Sequence, residues 1–504
     1  MVLSCPGWDL YWLGFVMWIP WFAAIEGCKP RAAFGYGWLV GIITVFWGFF
    51  WLSELLTKFA GFSLPAAMPV TLLFAMWHGL LWGLSAWLVT LARARVGWPL
   101  WLVAPLVWVS VEAVLPCIFP IYMAHAWCWQ PWLIQTAEIG GVTTIAGVML
   151  ATNAALYCII RAKRAGEPIA RRDVIAAVVL LAGNPIYGAI RLAQVDAQIV
   201  QAPKLRFAVV QGNMSIKQMA HPQWRRSILA GQQAKTAELA AAGAEIALWG
   251  ETAYPNPRIF TRDRTEDLPE AHPWHVRRGF DIPVIFGAVT RDPTGEEPYP
   301  FNTAILLDRD GRVAGTYDKV YRLMFGEYAP LVDPQWYLAQ VPSASHIAQG
   351  AGPGVLQHEQ WRLGPLVCYE DILPRFVREA ASKDVHAFVN LTNDAWFGKT
   401  DEPAQHLGLA VFRAIEHRKP LVRAVNTGVS TYVDPTGAAH HRTRVTDPDI
   451  DGPQAADGFT VDVPMMDPES RTLYGLTGEL FNGLCLAGVA WMLTRKRRAS
   501  LPPS

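Results

Sequence analysis

Cysteine is nearly absent from the stretch between residues 203 and 470. Cys368 is the one cysteine there, and the other six of the seven lie in or beside apolar segments. A lone cysteine has no disulfide partner within its own domain, which excludes a disulfide framework for this stretch. Cys368 is therefore either an inert core residue or a reactive thiol, and its neighbours have to decide between the two.

Charge is scarce as well. Asp, Glu, Lys and Arg make up 17% of the 504 residues, and the formal net charge is +1. A chain so nearly neutral gives no indication of a nucleic-acid partner. The histidines His221, His272 and His275 lack a metal-ligand spacing, so the sequence predicts no metal and no cofactor.

Apolar residues are abundant but unevenly spread. Residues 1–192 are rich in Leu, Val, Ala and Trp, and 16 of the 23 tryptophans lie between Trp8 and Trp132. Indole rings favour the interface of a lipid bilayer, so this distribution indicates a membrane domain. Residues 203–470 carry the charges, turns and alternating segments that are typical of a soluble domain.

A transmembrane span needs about 20 mostly apolar residues. Six segments before the soluble stretch and one after it meet this condition: 10–26, 33–55, 66–91, 99–119, 140–160, 174–192 and 473–494. The weakest is 174–192, because Asn184 and Pro185 interrupt it. We predict a membrane domain of about six helices at 1–192, a soluble domain at 203–470, a C-terminal transmembrane helix at 473–494 and a basic cytoplasmic tail at 495–504.

Basic residues set the orientation, since Lys and Arg concentrate in cytoplasmic loops. Basic clusters follow the first, third, fifth and seventh predicted spans, at 29–31, 93–95, 161–172 and 495–498. Because these clusters fall on one side, the domain at 203–470 is expected on the other side, which in a bacterium is the periplasm. This count puts Met1 outside, so either Met1 is exported or a preceding helix is missing from the sequence.

Two polar residues, His78 and Glu112, lie inside predicted spans. A carboxylate within a membrane is costly and often functional. The alternative is that Glu112 lies near a helix end and bonds a neighbouring helix. The sequence leaves both interpretations open.

Strands and helices alternate between residues 203 and 470, which predicts an α/β layered fold. Strands are expected at 205–211, 245–249, 283–289, 303–308, 312–317, 363–368, 386–392, 421–425 and 429–433, and helices at 224–242 and 404–417. Cys368 ends one of these strands, and the polar residues Tyr369, Glu370 and Asp371 follow it. Sites in α/β folds are built at such strand ends, so a nucleophilic Cys368 becomes a hypothesis.

Three stretches resemble the motifs of the nitrilase, or carbon–nitrogen hydrolase, superfamily. Leu248–Pro255 resembles its glutamate motif and contains Glu251. Residues 317–330 resemble its lysine motif, and Val367–Asp371 resembles its cysteine motif. The three occur in the order of that superfamily and within one domain.

The closer resemblance is to the apolipoprotein N-acyltransferase family. It rests on the arrangement of spans and on further stretches: Asn393–Gly398, Gln405–His406, Arg413–Glu416, Arg423–Ser430, Thr472, Tyr474 and Gly478. The chain departs from the family where Gly250 stands for a usual proline and where Met219 and Ala220 lie near an expected tryptophan. The family also has eight spans, and the first of them is not found here.

The resemblance implies a multi-span helical membrane domain plus an extracytoplasmic nitrilase-like αββα sandwich that carries a catalytic triad. Cys368 would be the nucleophile, Glu251 would take its proton, and Lys319 would stabilise the thiolate and the oxyanion. Supporting roles are implied for three further residues: Glu327 beside Lys319, the backbone N–H of Tyr369 at the oxyanion, and Glu370 as a holder of the loop.

The resemblance also implies a ping-pong reaction at the bacterial inner membrane, with the catalytic domain in the periplasm. A phospholipid, expected to be phosphatidylethanolamine, would donate an acyl chain to Cys368. The N-terminal amine of a diacylglyceryl-cysteine lipoprotein would accept it, without metal or cofactor. An aromatic loop with Trp127, Trp129 and Trp132 would line a lateral access route for lipid.

Other interpretations stay open. Taken singly, Lys319 reads as a surface lysine, Glu251 as a helix cap and His406 as a helix-face residue. At the level of function, a membrane-anchored amidase would use water in place of the lipoprotein amine. A divergent paralogue would acylate another amine, or would be an inactive scaffold.

Overall fold

The structure, a computed structural model, describes residues 1–341 and 343–496. The chain forms two compact units. The first comprises residues 1–54 and 63–194 and the chain from Thr472 onward, and the second comprises residues 55–62 and 195–471. Most of the predicted basic tail at 495–504 lies outside the described residues.

The first unit is helical. Its main helices are Ile19–Ile25, Pro30–Gly48, Leu64–Val96, Leu100–Val114, Val142–Ala165 and Leu480–Thr494. Two further helices, Trp51–Ala60 and Arg171–Gln201, begin in the first unit and end in residues of the second. Among the described residues, three helices are long and apolar enough to cross a membrane: Leu64–Val96, Val142–Ala165 and Arg171–Gln201. A fourth candidate is the pair Pro30–Gly48 and Trp51–Ala60, which is bent by 55°. The seven predicted spans are therefore only partly matched, and the full count stays a prediction.

Three predicted spans are broken in the structure, and a fourth lies within one long helix. The segment 33–55 is divided between Gly48 and Trp51. The segment 10–26 forms a 3-10 helix at Tyr11–Phe15 and a separate helix at Ile19–Ile25, and 473–494 divides into Leu473–Thr477 and Leu480–Thr494. The segment 174–192, the weakest of the predicted spans, lies within Arg171–Gln201, which is one helix of 31 residues. Asn184 in that helix donates to the carbonyl of Leu133 at 2.9 Å, so its amide has a partner.

The tryptophans do not all lie at an interface. Trp18, Trp82 and Trp108 are fully buried and pack together, with ring centroids 4.4 to 6.2 Å apart. Trp127 is also buried, and its indole donates to the carbonyl of Tyr11, whereas Trp129 and Trp132 are half-buried, so the access route stays a prediction. Part of the aromatic excess therefore fills the core of the helical unit.

The two polar residues of the predicted spans have local partners. Glu112 accepts from the indole of Trp108, one turn earlier in the same helix, at 3.3 Å. His78 Nδ1 lies 2.9 Å from the carbonyl of Phe74, and its Nε2 accepts from the backbone N–H of Ile118 at 3.3 Å. The His78 bonds link its helix to the segment at Ile118, whereas the Glu112 bond lies within one helix, so both interpretations of Glu112 stay open.

The second unit is built on two six-stranded sheets. Its strands are β1 Lys204–Gln211, β2 Ile246–Trp249, β3 Val284–Thr290, β4 Phe301–Leu307, β5 Val313–Asp318, β6 Leu356–His358, β7 Trp361–Val367, β8 Ala387–Asn393, β9 Leu421–Asn426, β10 Thr431–Val433, β11 Ala439–His440 and β12 Asp457–Pro464. One sheet has the order β12-β1-β2-β3-β4-β5, and the other has the order β11-β10-β9-β8-β7-β6. Helix Arg225–Ala241 packs on the first sheet, and helix Glu402–His417 packs on the second.

The two sheets face each other, which completes the predicted αββα sandwich. A Cβ on Gly250, after β2, would lie 3.0 Å from the carbonyl of Thr392 on β8. The side chain of Asn426, at the end of β9, accepts from the N–H of Met214 after β1 at 2.8 Å. Strands β2 and β8 are buried throughout, as expected for parallel strands covered on both faces.

The nine predicted strands all occur, and three further strands were missed. Strand β12 pairs with β1 in antiparallel fashion over its whole length, from Asp457 to Pro464. It is half exposed, so its apolar alternation is weak. Strands β6 and β11 are only three and two residues long, which leaves too little pattern to detect.

Candidate active site

Cys368 lies where β7 ends and a 3-10 turn, Cys368–Ile372, begins. Its φ is +52°, a left-handed backbone conformation that residues other than glycine rarely adopt. The carbonyl of Cys368 accepts from the side-chain amide of Asn390 on the adjacent strand β8 at 3.3 Å. The sharp turn takes the half-buried thiol out of the sheet and presents it at the strand end.

Glu251 follows the end of β2 and is 7% exposed. Its Oε1 accepts two bonds, from Asn302 Nδ2 at 2.7 Å and from Lys319 Nζ at 3.2 Å. Burial raises the pKa of this carboxyl, and the lysine and the amide oppose that effect. The backbone here is tightly packed, because a Cβ on the neighbouring Gly287 would lie 2.5 Å from the N of Thr252.

Lys319 follows the end of β5 and is only 1% exposed, so it is not the surface lysine that it could have been. Its Nζ lies 3.2 Å from Glu251 Oε1 and 2.7 Å from Glu327 Oε1. Burial disfavours the ammonium, but the two carboxylates outweigh burial and raise the pKa of Lys319 well above its ordinary value. Glu327 is fixed in turn by the N–H of Leu323, which donates to its Oε2 at 2.8 Å.

These residues act on one another through their charges. Burial is the first cause that raises the pKa of the Cys368 thiol, and Glu251 adds to it, while Lys319 lowers it. The net effect is a pKa well above the ordinary value, so the resting thiol is protonated. The structure thus gathers Glu251, Lys319, Cys368 and Glu327 into one buried electrostatic cluster.

Glu370 is fully buried and joins the cysteine turn to the loop that follows Lys319. Its Oε1 accepts from the N–H of Val320 at 2.6 Å and of Tyr321 at 3.0 Å. Its Oε2 accepts from the N–H of Val367 at 2.7 Å and from the hydroxyl of Tyr317 at 2.8 Å. Burial raises the pKa of Glu370 to about 7, although the bonds from Val367, Tyr321 and Tyr317 and the charge of Lys319 oppose it. Tyr369, beside it, is half buried in the same turn.

Asn302 is the site residue that the sequence did not single out. It lies on β4. Its side-chain amide donates to Glu251, and its backbone carbonyl accepts from the backbone N–H of Lys319 at 2.8 Å. The sequence gives little indication of its role, because Asn302 is the one amide side chain in the mostly apolar run Phe301–Leu307. Only the pairing of β4 with β5 brings it beside the lysine.

Comparison with known proteins gives the class of the second unit. Residues 206–450 match the family described as carbon–nitrogen hydrolase, and residues 1–155 match the N-terminal domain of apolipoprotein N-acyltransferase. The first match contains every residue of the site described above. The second unit is therefore a carbon–nitrogen hydrolase domain with the nitrilase-like fold.

Similarity along the whole chain narrows the assignment. An apolipoprotein N-acyltransferase from Geobacter metallireducens is 28% identical over 97% of this chain and 92% of its own length. One from Gloeobacter violaceus is 31% identical over 71% of this chain and 63% of its own. An amidase structure from Nesterenkonia sp. matches 56% of this chain and 97% of its own at 21% identity, with a TM-score of 0.37. The chain belongs to the apolipoprotein N-acyltransferase family.

The four donors around Glu370 give a test of its structural role. The substitution Glu370→Gln places an NH₂ group against a buried N–H or hydroxyl donor, which leaves donors unsatisfied. We expect it to lower the free energy of unfolding by about 3 kcal/mol, measured by thermal unfolding of the detergent-solubilised protein. The matched variant Tyr317→Phe removes one bond and should cost about 1 kcal/mol. Equal midpoints for Glu370→Gln and the unmodified protein would contradict the role.

Proposed function

We propose that this protein transfers an acyl chain from a phospholipid to the N-terminal diacylglyceryl-cysteine amine of apolipoproteins, through a thioester on Cys368. In this proposal Glu251, Lys319 and Cys368 are catalytic, and Glu327, Tyr369 and Glu370 support them. The observation that carries it is the buried Lys319 held between Glu251 and Glu327 beside a lone thiol. Similarity over nearly the full length of a named acyltransferase supports the reaction class.

The first half-reaction forms the thioester. Glu251 takes the proton from Cys368, and the sulfur attacks the ester carbonyl of the phospholipid. Among the described residues, both side-chain donors to Glu251 bond its Oε1, which leaves Oε2 for the thiol proton. Lys319 and the N–H of Tyr369 stabilise the oxyanion. The ester bond breaks, and the lysophospholipid alcohol leaves with the proton that Glu251 held.

The second half-reaction uses the same groups in reverse. The α-amine of the lipoprotein attacks the thioester carbonyl, and Glu251 receives a proton from the amine. The C–S bond breaks as the amide forms, and the proton returns to the sulfur of Cys368. No group is oxidised or reduced, so the cycle needs no redox cofactor.

A hydrolytic alternative shares the triad. In a membrane-anchored amidase, water would attack the acyl-enzyme in place of the amine. The match of residues 1–155 to the acyltransferase N-terminal domain favours the acyltransferase, because an amidase of small soluble substrates has no use for it. The fate of the acyl group separates the two reactions.

The trapped intermediate is the direct test of Cys368. With radiolabelled phosphatidylethanolamine in detergent, we expect a protein-bound acyl label that neutral hydroxylamine removes, as it does from thioesters. Cys368→Ala should abolish the label, while the matched variant Cys158→Ala, at a thiol of the helical unit, should keep it. A label that survives in Cys368→Ala would remove this cysteine from the nucleophilic role.

The acceptor is tested with the same trapped intermediate. Adding a synthetic diacylglyceryl-cysteine peptide should discharge the label onto the peptide amine, and a peptide acetylated at that amine should not. Release of free fatty acid at the same rate with either peptide would favour the hydrolytic alternative.

Glu251 gives a prediction about pH. Its pKa is raised above the ordinary 4.5, and only the ionised carboxylate accepts a proton, so the acylation rate should rise with pH through a midpoint above 4.5. Glu251→Gln should lower the rate of acyl-enzyme formation by about 10² to 10⁴-fold and remove this rise. The exposed Glu266→Gln serves as the control and should leave the profile unchanged. An unaltered rate in Glu251→Gln would refute the base assignment.

The orientation is also part of the proposal. Lys29 precedes helix Pro30–Gly48, and Arg93 and Arg95 lie in the last turn of Leu64–Val96. These basic ends support a multi-pass protein of the bacterial inner membrane with its catalytic domain in the periplasm. A green fluorescent reporter fused after Ser504 should fluoresce, because it folds in the cytoplasm. An active alkaline phosphatase fusion at the same point would reverse the orientation.

A further inference from the structure

Four charged side chains meet beside the turn that carries Cys368, and the reaction described above uses none of them. They come from four elements: Asp371 from the cysteine turn, Asp394 from the loop after β8, His406 from helix Glu402–His417, and Arg423 from β9. Each is at least nine-tenths buried. Buried charges are costly, so such a gathering needs a reason.

His406 bridges the two carboxylates. Its Nε2 lies 3.0 Å from Asp371 Oδ1, and its Nδ1 lies 3.3 Å from Asp394 Oδ1. A neutral imidazole has one N–H, whereas the imidazolium donates from both nitrogens. With two carboxylates as its partners, the ring satisfies both contacts as a cation.

The charges of the cluster balance when His406 is a cation. Arg423 places Nη1 3.6 Å from Asp371 Oδ2 and Nη2 3.7 Å from Asp394 Oδ2, so two cations face two anions. Glu402, one turn earlier on the same helix, has Oε1 3.7 Å from His406 Nδ1. Burial and Asp394 raise the pKa of Glu402 well above its ordinary value, which keeps this carboxyl protonated and neutral.

The charge balance of the four side chains holds across the neutral pH range. Burial and Arg423 disfavour the charged imidazole, but Asp371 and Asp394 outweigh both and raise the pKa of His406 to about 10. The groups that face His406 are therefore Asp371 from the turn, Asp394 from the loop, Glu402 from its own helix and Arg423 from β9.

The cysteine turn needs such support. Cys368 has a φ of +52°, and a non-glycine residue persists in that conformation only when its surroundings hold it there. Asp371 is the last but one residue of the same short turn, Cys368–Ile372. A bond to Asp371 from outside the turn therefore restrains the backbone that places the thiol.

We propose that His406 is a positioning residue, an imidazolium that ties Asp371 in the cysteine turn to Asp394 after β8 and so holds the Cys368 thiol beside Glu251 and Lys319. The inference rests on the proposed function for its kinetic consequence. Its geometric part, the position of the thiol, is measurable without any lipid.

A bound cation is the rival explanation. Asp394, Glu402 and His406 offer ligand atoms that lie within 4.8 Å of one another. Arg423 and the imidazolium together balance Asp371 and Asp394, so a metal ion would have to take the place of the positive charge on His406. Metal content is therefore one arm of the test.

Two substitutions keep one bond each. The amide nitrogen of Gln replaces Nε2 and can still donate to Asp371, whereas that of Asn replaces Nδ1 and can donate only to Asp394. We expect His406→Asn to lower the maximal rate of acyl-enzyme formation, per folded molecule, by about 100-fold, and His406→Gln to lower it less. The KM for the phospholipid should stay within about twofold of the unmodified value, because the lipid contacts are untouched.

A matched control and a lipid-free readout complete the design. His440 Nε2 pairs with Asp434 at 2.7 Å in the β10–β11 hairpin, so His440→Asn, which lacks a donor at the Nε2 position, breaks a similar pair and should change the rate less than twofold. Carbamidomethylation of Cys368 by iodoacetamide, followed by peptide mass spectrometry, should slow about tenfold in His406→Asn, since the displaced thiol loses its base. This readout separates a failed inference from a wrong acyl donor.

The pH dependence of stability provides an independent check. A histidine whose pKa rises from 6.5 to about 10 on folding stabilises the fold fully below pH 6.5 and loses that contribution as pH approaches 10. The thermal midpoint of the unmodified protein should therefore fall more between pH 8 and pH 10 than that of His406→Gln.

Several outcomes would overturn the inference. If His406→Asn and His406→Gln are acylated and alkylated as fast, per folded molecule, as the unmodified protein, then the His406 bridge does not position the thiol. If His406→Asn does not fold, His406→Gln decides alone. The inference is then wrong if His406→Gln forms the acyl-enzyme at the rate of the unmodified protein and if the thermal midpoints of the two proteins fall in parallel with pH. If the purified protein holds one equivalent of zinc or manganese and His406→Asn does not, then His406 is a metal ligand and not an imidazolium.

Discussion

The buried ammonium of Lys319 is the interaction on which the site depends. An unpaired charge at 1% exposure would be too costly to keep, so Lys319 requires its two carboxylates, Glu251 at 3.2 Å and Glu327 at 2.7 Å. Meeting that requirement draws the ends of β2 and β5 and the loop after β5 to one point. Because the cluster has one cation and two anions, a thiolate added to it would be unfavourable. Moving a proton from Cys368 to Glu251 leaves the total charge unchanged, and this makes the adjacent base necessary.

The sandwich supplies the positions that this cluster needs. Strands β2 and β8 are buried on both faces, so their carboxyl ends are the first places where polar side chains reach open space. The sheets are in close contact, because a Cβ on Gly250 would lie 3.0 Å from the Thr392 carbonyl, and this leaves little room for β2 to shift against β8. Glu370 then joins the cysteine turn to the lysine loop through four bonds. The two halves of the site are thus fixed by packing on one side and by a buried carboxylate on the other.

The sequence predicted the strands because they leave local signals, whereas the roles of Glu251, Lys319 and Cys368 were implied by the resemblance of three motifs to the nitrilase superfamily. Fully buried strands read as apolar runs, and the polar residues that follow them read as strand ends. The features that the sequence did not predict depend on contacts between residues that are far apart in the chain. Asn302 is one amide in an apolar strand until β5 pairs beside it. Helix Arg171–Gln201 continues through Pro185, and Asn184 finds its partner at Leu133, 51 residues away. The tryptophans that suggested an interface include three that pack together in the core.

The two buried charge clusters of the catalytic unit differ in their balance, and the difference matches their roles. Around His406, two cations face two anions, so no proton has reason to move near neutral pH and the cluster is suited to holding backbone in place. Around Lys319, one cation faces two anions and a thiol, so a small displacement of a proton changes which group carries the charge. In the proposed mechanism, the balanced cluster around His406 holds the cysteine turn in place, while a proton passes between Cys368 and Glu251 in the unbalanced cluster around Lys319.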